Sequence, residues 1–184
     1  MNETLKAIAE HYSCRDFTGA PIDPEQVRQI AEAALAAPSG MNRQPWHVIM
    51  VTDKAFIDEM DEEGMRILAA MEDKSTYERM MSRGGKLFYN APCMVMVASP
   101  SEGASPMDCG ILSQNVALAA HALGLGSVIV GMAGMPLSGP NGDAYKQRLK
   151  FPAGYGFGIG ILVGAAATVS APHALDMTKL SYVG

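Results

Sequence analysis

Chemistry-bearing side chains crowd one short stretch, Ala37-Pro38-Ser39-Gly40-Met41-Asn42-Arg43-Gln44-Pro45-Trp46. Asn42 and Gln44 each offer hydrogen-bond donors and acceptors, so together they suit the polar edge of a ring. Ser39, Arg43 and the backbone N–H groups near Gly40 add further donors. None of these groups performs redox or acid–base chemistry alone. Two prolines and a glycine are loop chemistry, and a plain connection between a helix and a strand has the same composition. A second group is His11-Tyr12-Ser13-Cys14-Arg15. There Ser13, Arg15 and backbone N–H groups at a helix end suit an anion. Taken alone this signal is weak, because an arginine beside an aspartate, here Asp16, is usually a surface ion pair.

Other chemistries find little footing. His11, His47, His121 and His173 show no metal-ligand spacing, and no cysteine joins them, which argues against zinc. His121 reads as a hydrogen-bonded core residue. Cys14, Cys93 and Cys109 form no CxxC pair, and an odd count argues against a disulfide framework. Gly154-x-Gly156-x-Gly158-x-Gly160 misses the GxGxxG spacing and leads into a strand, so close strand packing explains it better. Gly85-Lys86 is followed by Leu87, which rules out a Walker A loop, and no GxSxG elbow is present.

The 184 residues suit one domain with a substantial core. Hydrophobic residues make up 48% and charged residues 18%, the balance of a soluble globular chain. A net charge of −5 without a basic run argues against nucleic acid as a partner. No apolar run has the length of a membrane span, and the first residues lack the pattern of a signal peptide. Cytoplasmic residence is the default expectation.

The elements that must position these residues follow from periodicity. Residues 3–11 read as a short helix. Asp23 is an N-cap with Pro24 at the first helical position and Gln26 where a capping box needs it. Val27, Ile30, Ala31, Ala34 and Leu35 then share one face of the helix that delivers the loop. His47–Val51 reads as a strand, and Asp53 caps a helix whose apolar face runs from Phe56 to Met71. Residues 72–90 are charged and less periodic, consistent with a mobile helical cover or a solvated face. A buried strand is expected over 92–98, then a helix over 108–123 that is apolar nearly all round. That helix belongs at the centre of the fold or in a subunit interface. Gly124 ends it, strands follow at 127–131 and 157–163 around a short helix at 143–149, and 180–183 reads as one more strand.

Ala37-Pro38-Ser39-Gly40-x-Asn42-x-Gln44-Pro45-Trp46 resembles the flavin-contacting loop of the nitroreductase family, FMN enzymes that use NAD(P)H. Ser13, Arg15 and Phe17 resemble the family's opening Arg-x-Ser-x-Arg/Lys-x-Phe, with His11 in place of the first arginine. Asp108-Cys109-Gly110, Gln114-Asn115 and Gly124-Leu125-Gly126 resemble its central helix, which feeds Val130-Gly131, and Asn90-Ala91-Pro92 precedes a matching strand. The likeness departs at the tail, where Ala171-Pro172-His173-Ala174 carries alanine at the place of a phosphate-clamping arginine.

The resemblance implies an α+β fold, with a mostly antiparallel sheet flanked by helices in an interlocked homodimer. One domain would span 1–184, with the tail from about 170 reaching the partner. It implies FMN held by His11, Tyr12, Ser13, Arg15, Pro38, Ser39, Gly40, Asn42, Gln44, Val130, Gly131 and His173. No side chain is assigned as catalytic acid or base, and no metal is implied. Hydride from NAD(P)H would pass by way of the flavin to a nitroaromatic, quinone or other small aromatic acceptor. Two alternatives stand beside this reading. One is a flavin-dependent dehalogenase-type relative; the other is a protein that binds FMN or a flat ligand without steady turnover.

Overall fold

The computed structural model describes residues 2–102 and 106–184. Its centre is a four-stranded antiparallel sheet in the order β1-β2-β4-β3. β1 is His47–Val51, β2 Cys93–Pro100, β3 Gly126–Val130 and β4 Tyr155–Gly164. Among the described residues six helices flank it: α1 Glu3–Glu10, α2 Pro24–Leu35, α3 Lys54–Ala70, α4 Ser75–Met81, α5 Pro106–Ala122 and α6 Gly142–Arg148. Among the described residues no helix is long and apolar enough to cross a membrane.

β2 lacks a polar face, and the period of two divides its side chains between two cores. Met94 and Met96 join Phe56, Ile57, Met60 and Phe88 on the α3 side. Cys93, Val95 and Val97 join Ile30, Ala34, Leu112 and Val116 on the side of α2 and α5. The glycines of β4 serve close packing, as expected. A Cβ at Gly160 would stand 2.5 Å from that of Ala133, and one at Gly158 would stand 3.0 Å from Val97 O. Gly158 also marks a register shift between β2 and β4, a bulge of the kind that re-aims side chains beside a site.

Except for the strand expected over 180–183, the expected elements are present within a few residues of their expected bounds. α5 ends as its Gly124-Leu125 signal requires: Gly124 has φ +76°, its N–H reaches His121 O, and Leu125 N–H reaches Ala120 O, a Schellman cap. Asp23 does cap α2, accepting from Glu25 N–H at 2.7 Å. Gln26 does not close a capping box, because its carboxamide donates to Leu123 O, 97 residues away. Leu35, expected on the apolar face, is exposed. His121 is half-buried beside α1, lining a shallow groove with Glu3, Lys6 and Glu10, and so is no core residue. Residues 180–183 form no strand within the chain; the tail is exposed from Ala167 onward and carries one short 3-10 turn at Met177–Lys179.

Of the two alternatives for 72–90, Ser75–Met81 forms a helix that is largely exposed, as a solvated face would be, whereas 87–90 are anchored in the core. Met80, Leu87, Phe88 and Tyr89 lie in the core. Asp61, 5% exposed, accepts from Leu87 N–H at 3.0 Å and Phe88 N–H at 2.6 Å. Burial raises the Asp61 pKa, outweighing the two N–H bonds and Lys86, which lower it. Because the folded pKa is raised, this contribution is fully present below the unfolded carboxylate value of about 4 and is lost as pH rises through the folded value. Asp61→Asn sets an amide donor against one backbone N–H, and is expected to cost about 1–3 kcal/mol. Urea unfolding between pH 3 and 7 should show that deficit, narrowing as pH rises; a variant as stable as the parent would remove Asp61 as the anchor.

Candidate functional site

α2 delivers the loop 39–44, and its backbone is held in an uncommon shape. Met41, Asn42 and Gln44 have φ of +52°, +53° and +48°, a region that costs non-glycine residues energy and that surrounding structure must enforce. The enforcing bonds are visible. Ser39 Oγ accepts from Gln44 N–H at 2.8 Å, Asn42 N–H returns to Ser39 O, and Trp46 N–H returns to Gln44 O. Trp46 is buried and pins the far end. Gln44 Nε2 donates to Asn42 Oδ1 at 3.0 Å, which orients both carboxamides as one exposed unit. Gly40 N–H donates to Asp108 Oδ1 at 3.1 Å, mooring the loop to the first turn of α5.

The N-terminal segment is fixed through its backbone. Ser13 bridges Ser127, and Phe17 bridges Ala166. Cys14 N–H reaches Ser127 O at 2.8 Å, and Thr18 N–H reaches Ala165 O at 3.0 Å. This approach requires a glycine in β3, since a Cβ at Gly126 would stand 2.8 Å from Cys14 Sγ. Arg15 is exposed, makes no ion pair among the described residues, and folds back to Ser13 O at 3.3 Å. Tyr12 packs at the edge of the core. His11 differs from the arginine it replaces in more than charge. Its Nδ1 donates to Ile8 O at 2.9 Å, and its Nε2 accepts from Gln114 Nε2 at 3.1 Å. With both ring nitrogens engaged, the neutral ring offers no N–H to an anion. His173 lies in the exposed tail and makes no hydrogen bond to this segment among the described residues.

Two clefts open against the start of α5. One, about 330 Å³, is lined by Ser99, Cys109, Gly110, Ser113, Ile129 and Phe157 among others. The other, about 270 Å³, includes Gly40, Met41, Arg43, Met107 and Asp108. At Gly40, Gly110 and Gly131 a Cβ would meet nothing within 4 Å, so backbone there is open to close approach by a flat ligand. Val130 ends β3 as a buried residue and Gly131 is exposed just beyond it. Neither cleft is lined by Ser13 or Arg15. The loop is moored at Asp108 and His11 at Gln114, about 9 Å apart along the helix at about 1.5 Å per residue. One chain thus carries the two groups of candidate site residues, well formed and separate.

Thiol chemistry is absent from this arrangement. Burial raises the pKa of Cys14 and Cys109, and pushes that of Cys93 up to about 12. All three remain protonated thiols near neutral pH. Asp108 is the functional residue that pattern reading missed as a loop anchor, because the bond to Gly40 spans 68 residues.

Residues 8–161 match the model of the Nitroreductase family. The chain belongs to the nitroreductase family. It is 50% identical, with a TM-score of 0.96 over 100% of both chains, to a nitroreductase with bound FMN from Desulfitobacterium hafniense. A nitroreductase with bound FMN from Bacteroides fragilis is 26% identical with a TM-score of 0.90, again over 100% of both chains. Against an FMN reductase [NAD(P)H] of Bacillus subtilis the identity is 30% over 150 residues, covering 71% of this chain and 55% of that protein. The chain therefore spans only about half the length of that relative.

Asp108 is 7% exposed, so Asp108→Ala removes a nearly buried acceptor and leaves Gly40 N–H without its partner. A loss of about 1.5–3 kcal/mol is expected for a hydrogen bond to a charged group. Amide hydrogen exchange should speed up across 39–44 while β2 and β4 keep their protection. Unchanged exchange in the loop would show that Ser39 and Trp46 hold it without Asp108.

Proposed function

We propose that this member of the nitroreductase family is an FMN-dependent NAD(P)H oxidoreductase that reduces nitroaromatics, quinones or similar flat acceptors. The observation that carries the reading is the loop 39–44, whose strained backbone is enforced from three sides and presents paired carboxamides beside open glycine backbone. When bound, FMN takes up hydride from NAD(P)H and passes two electrons on, and the protein supplies binding, orientation and electrostatics.

The residues divide that labour. Asn42 and Gln44 offer donors and acceptors to a polar ring edge, with Pro38, Ser39 and Gly40 shaping the loop. Val130 and Gly131 bring backbone to the end of β3, where an N–H donor favours negative charge developing on a ring. Ser13 and Arg15 take the phosphate end, with Tyr12 as packing support. His11 joins them as a ring fixed by Ile8 and Gln114 that shapes the subsite, and His173 enters only when the tail is docked. The same open cleft admits reductant and acceptor in turn, with the proton drawn from water or substrate.

Two features favour a homodimer with the site shared between copies. α5 is apolar nearly all round yet buried on one side only, leaving Met107, Gly110, Gln114 and Leu118 on an outward stripe. The tail leaves Val169, Leu175, Tyr182 and Val183 exposed, a set of apolar side chains that a partner's surface would cover. In this arrangement 1–184 is one FMN-binding domain, and residues 170–184 cross to the partner. The loop of one copy and the Ser13–Arg15 segment of the other then meet around one flavin.

The test is the visible spectrum of purified protein, with FMN titration, anaerobic NADH addition and light scattering for mass. Flavin absorbance that bleaches with NADH, in a particle of twice the chain mass, is the expected result. Deleting 170–184 should weaken both FMN binding and dimerisation. A protein that ignores excess FMN, or binds it without bleaching under either NADH or NADPH, would overturn the oxidoreductase reading.

A further inference from the structure

Ser13 and Arg15 sit on a segment without secondary structure of its own, so something outside it must set its position. Phe17, two residues after Arg15, is held at both of its backbone polar groups by one short turn. Its N–H reaches Tyr89 O at 3.1 Å, and its carbonyl accepts from Asn90 Nδ2 at 3.2 Å. Asn90 is oriented in turn: its Oδ1 faces the ammonium of Lys86 at 3.2 Å, which leaves the NH2 for Phe17. Tyr89 and Asn90 are consecutive left-handed residues, with φ of +51° and +64°. Gly19 passes so close that a Cβ there would stand 2.7 Å from Asn90 Nδ2. A strained backbone, a fixed carboxamide and a glycine cleared for it all converge on one carbonyl.

We propose that Asn90 is a positioning residue for the phosphate subsite: backbone bonds to Ser127 and Ala167 hold the segment at Cys14 and Asp16, and by gripping Phe17 O Asn90 fixes its far end and so completes the placement of Arg15. This rests on the assignment of Arg15 to the FMN phosphate. The effect is directional. Asn90 acts at the Arg15 end, while the loop 39–44 is moored independently at Asp108 on α5. Losing Asn90 therefore loosens the Arg15 end of the phosphate-binding group, whose Ser13 end stays bridged to Ser127, and leaves the ring-binding group in place.

The experiment compares FMN with riboflavin, which has the same ring and ribityl chain without the phosphate. Two variants are used. Asn90→Gly keeps the left-handed backbone without strain and removes the side chain. Asn90→Asp keeps the acceptor facing Lys86 and cannot donate to Phe17 O. Both are expected to weaken FMN binding about tenfold, the scale of one hydrogen bond involving a charged group, with riboflavin binding within about twofold of the parent. A merely structural role would lower both affinities together, and that outcome overturns the proposal. Arg15→Gln is measured alongside. If it abolishes the preference for FMN while both Asn90 variants retain it, Asn90 has no positioning role and the Arg15 assignment stands. If Arg15→Gln leaves the preference intact, the phosphate assignment itself fails and the proposal falls with it.

Discussion

The burial of β2 on both faces is the constraint from which the rest of this structure follows. A strand with apolar side chains up and down must be covered twice, by α3 and its neighbours on one side and by α2 and α5 on the other. Most polar candidate site residues therefore lie outside the sheet. They collect where chain leaves it or skirts its edge: the loop into β1, the end of β3, and the segment running beside β3. Each of these is irregular backbone, and each has its position imposed from outside by a few hydrogen bonds.

Those imposed positions share a logic. Gly40 is moored to Asp108, Leu87 and Phe88 to Asp61, and Phe17 to Asn90. In each case a short polar side chain from a distant element accepts from or donates to main chain. A carboxylate in a nearly buried place is costly unless its oxygens are satisfied, and backbone N–H groups satisfy it while fixing the loop. The five left-handed non-glycine residues in the two turns, Met41, Asn42, Gln44, Tyr89 and Asn90, stand beside such anchors. Strain and tether occur together because neither turn would keep its shape alone.

Most of the fold was legible from local signals. Periodicity gave the helices, continuous apolar runs gave β2 and β4, and Gly124-Leu125 announced the cap of α5. The loop and the Ser13–Arg15 segment were legible as groups of suitable residues. Their anchors were not, because the pairs join residues 26 to 73 positions apart and no local pattern encodes such a distance. Gln26 misled for a related reason: its spacing fits a capping box, while its carboxamide meets Leu123 O on another helix. The apolar end of the tail resembled a strand, but a strand needs a partner edge, and 180–183 pair with none of the described strands.

His11 shows how a change of one residue alters charge and hydrogen bonding together. An arginine carries a charge at any ordinary pH and five donors in a fork that suits phosphate. The histidine ring spends its donor on Ile8 O and its lone pair on Gln114. With both ring nitrogens so engaged, the ring as it stands offers a phosphate no N–H. Under the proposed assignment Arg15, which makes no ion pair among the described residues, is the cation at this end of the site, in a chain of net charge −5. A dianion beside a single exposed guanidinium gains little from charge and much from geometry, because screening erodes the first and leaves the second. Under the proposed assignment, placement of Arg15 therefore weighs more here than it would in a site with several cations, and the bonds at Cys14, Asp16 and Phe17 share in that placement.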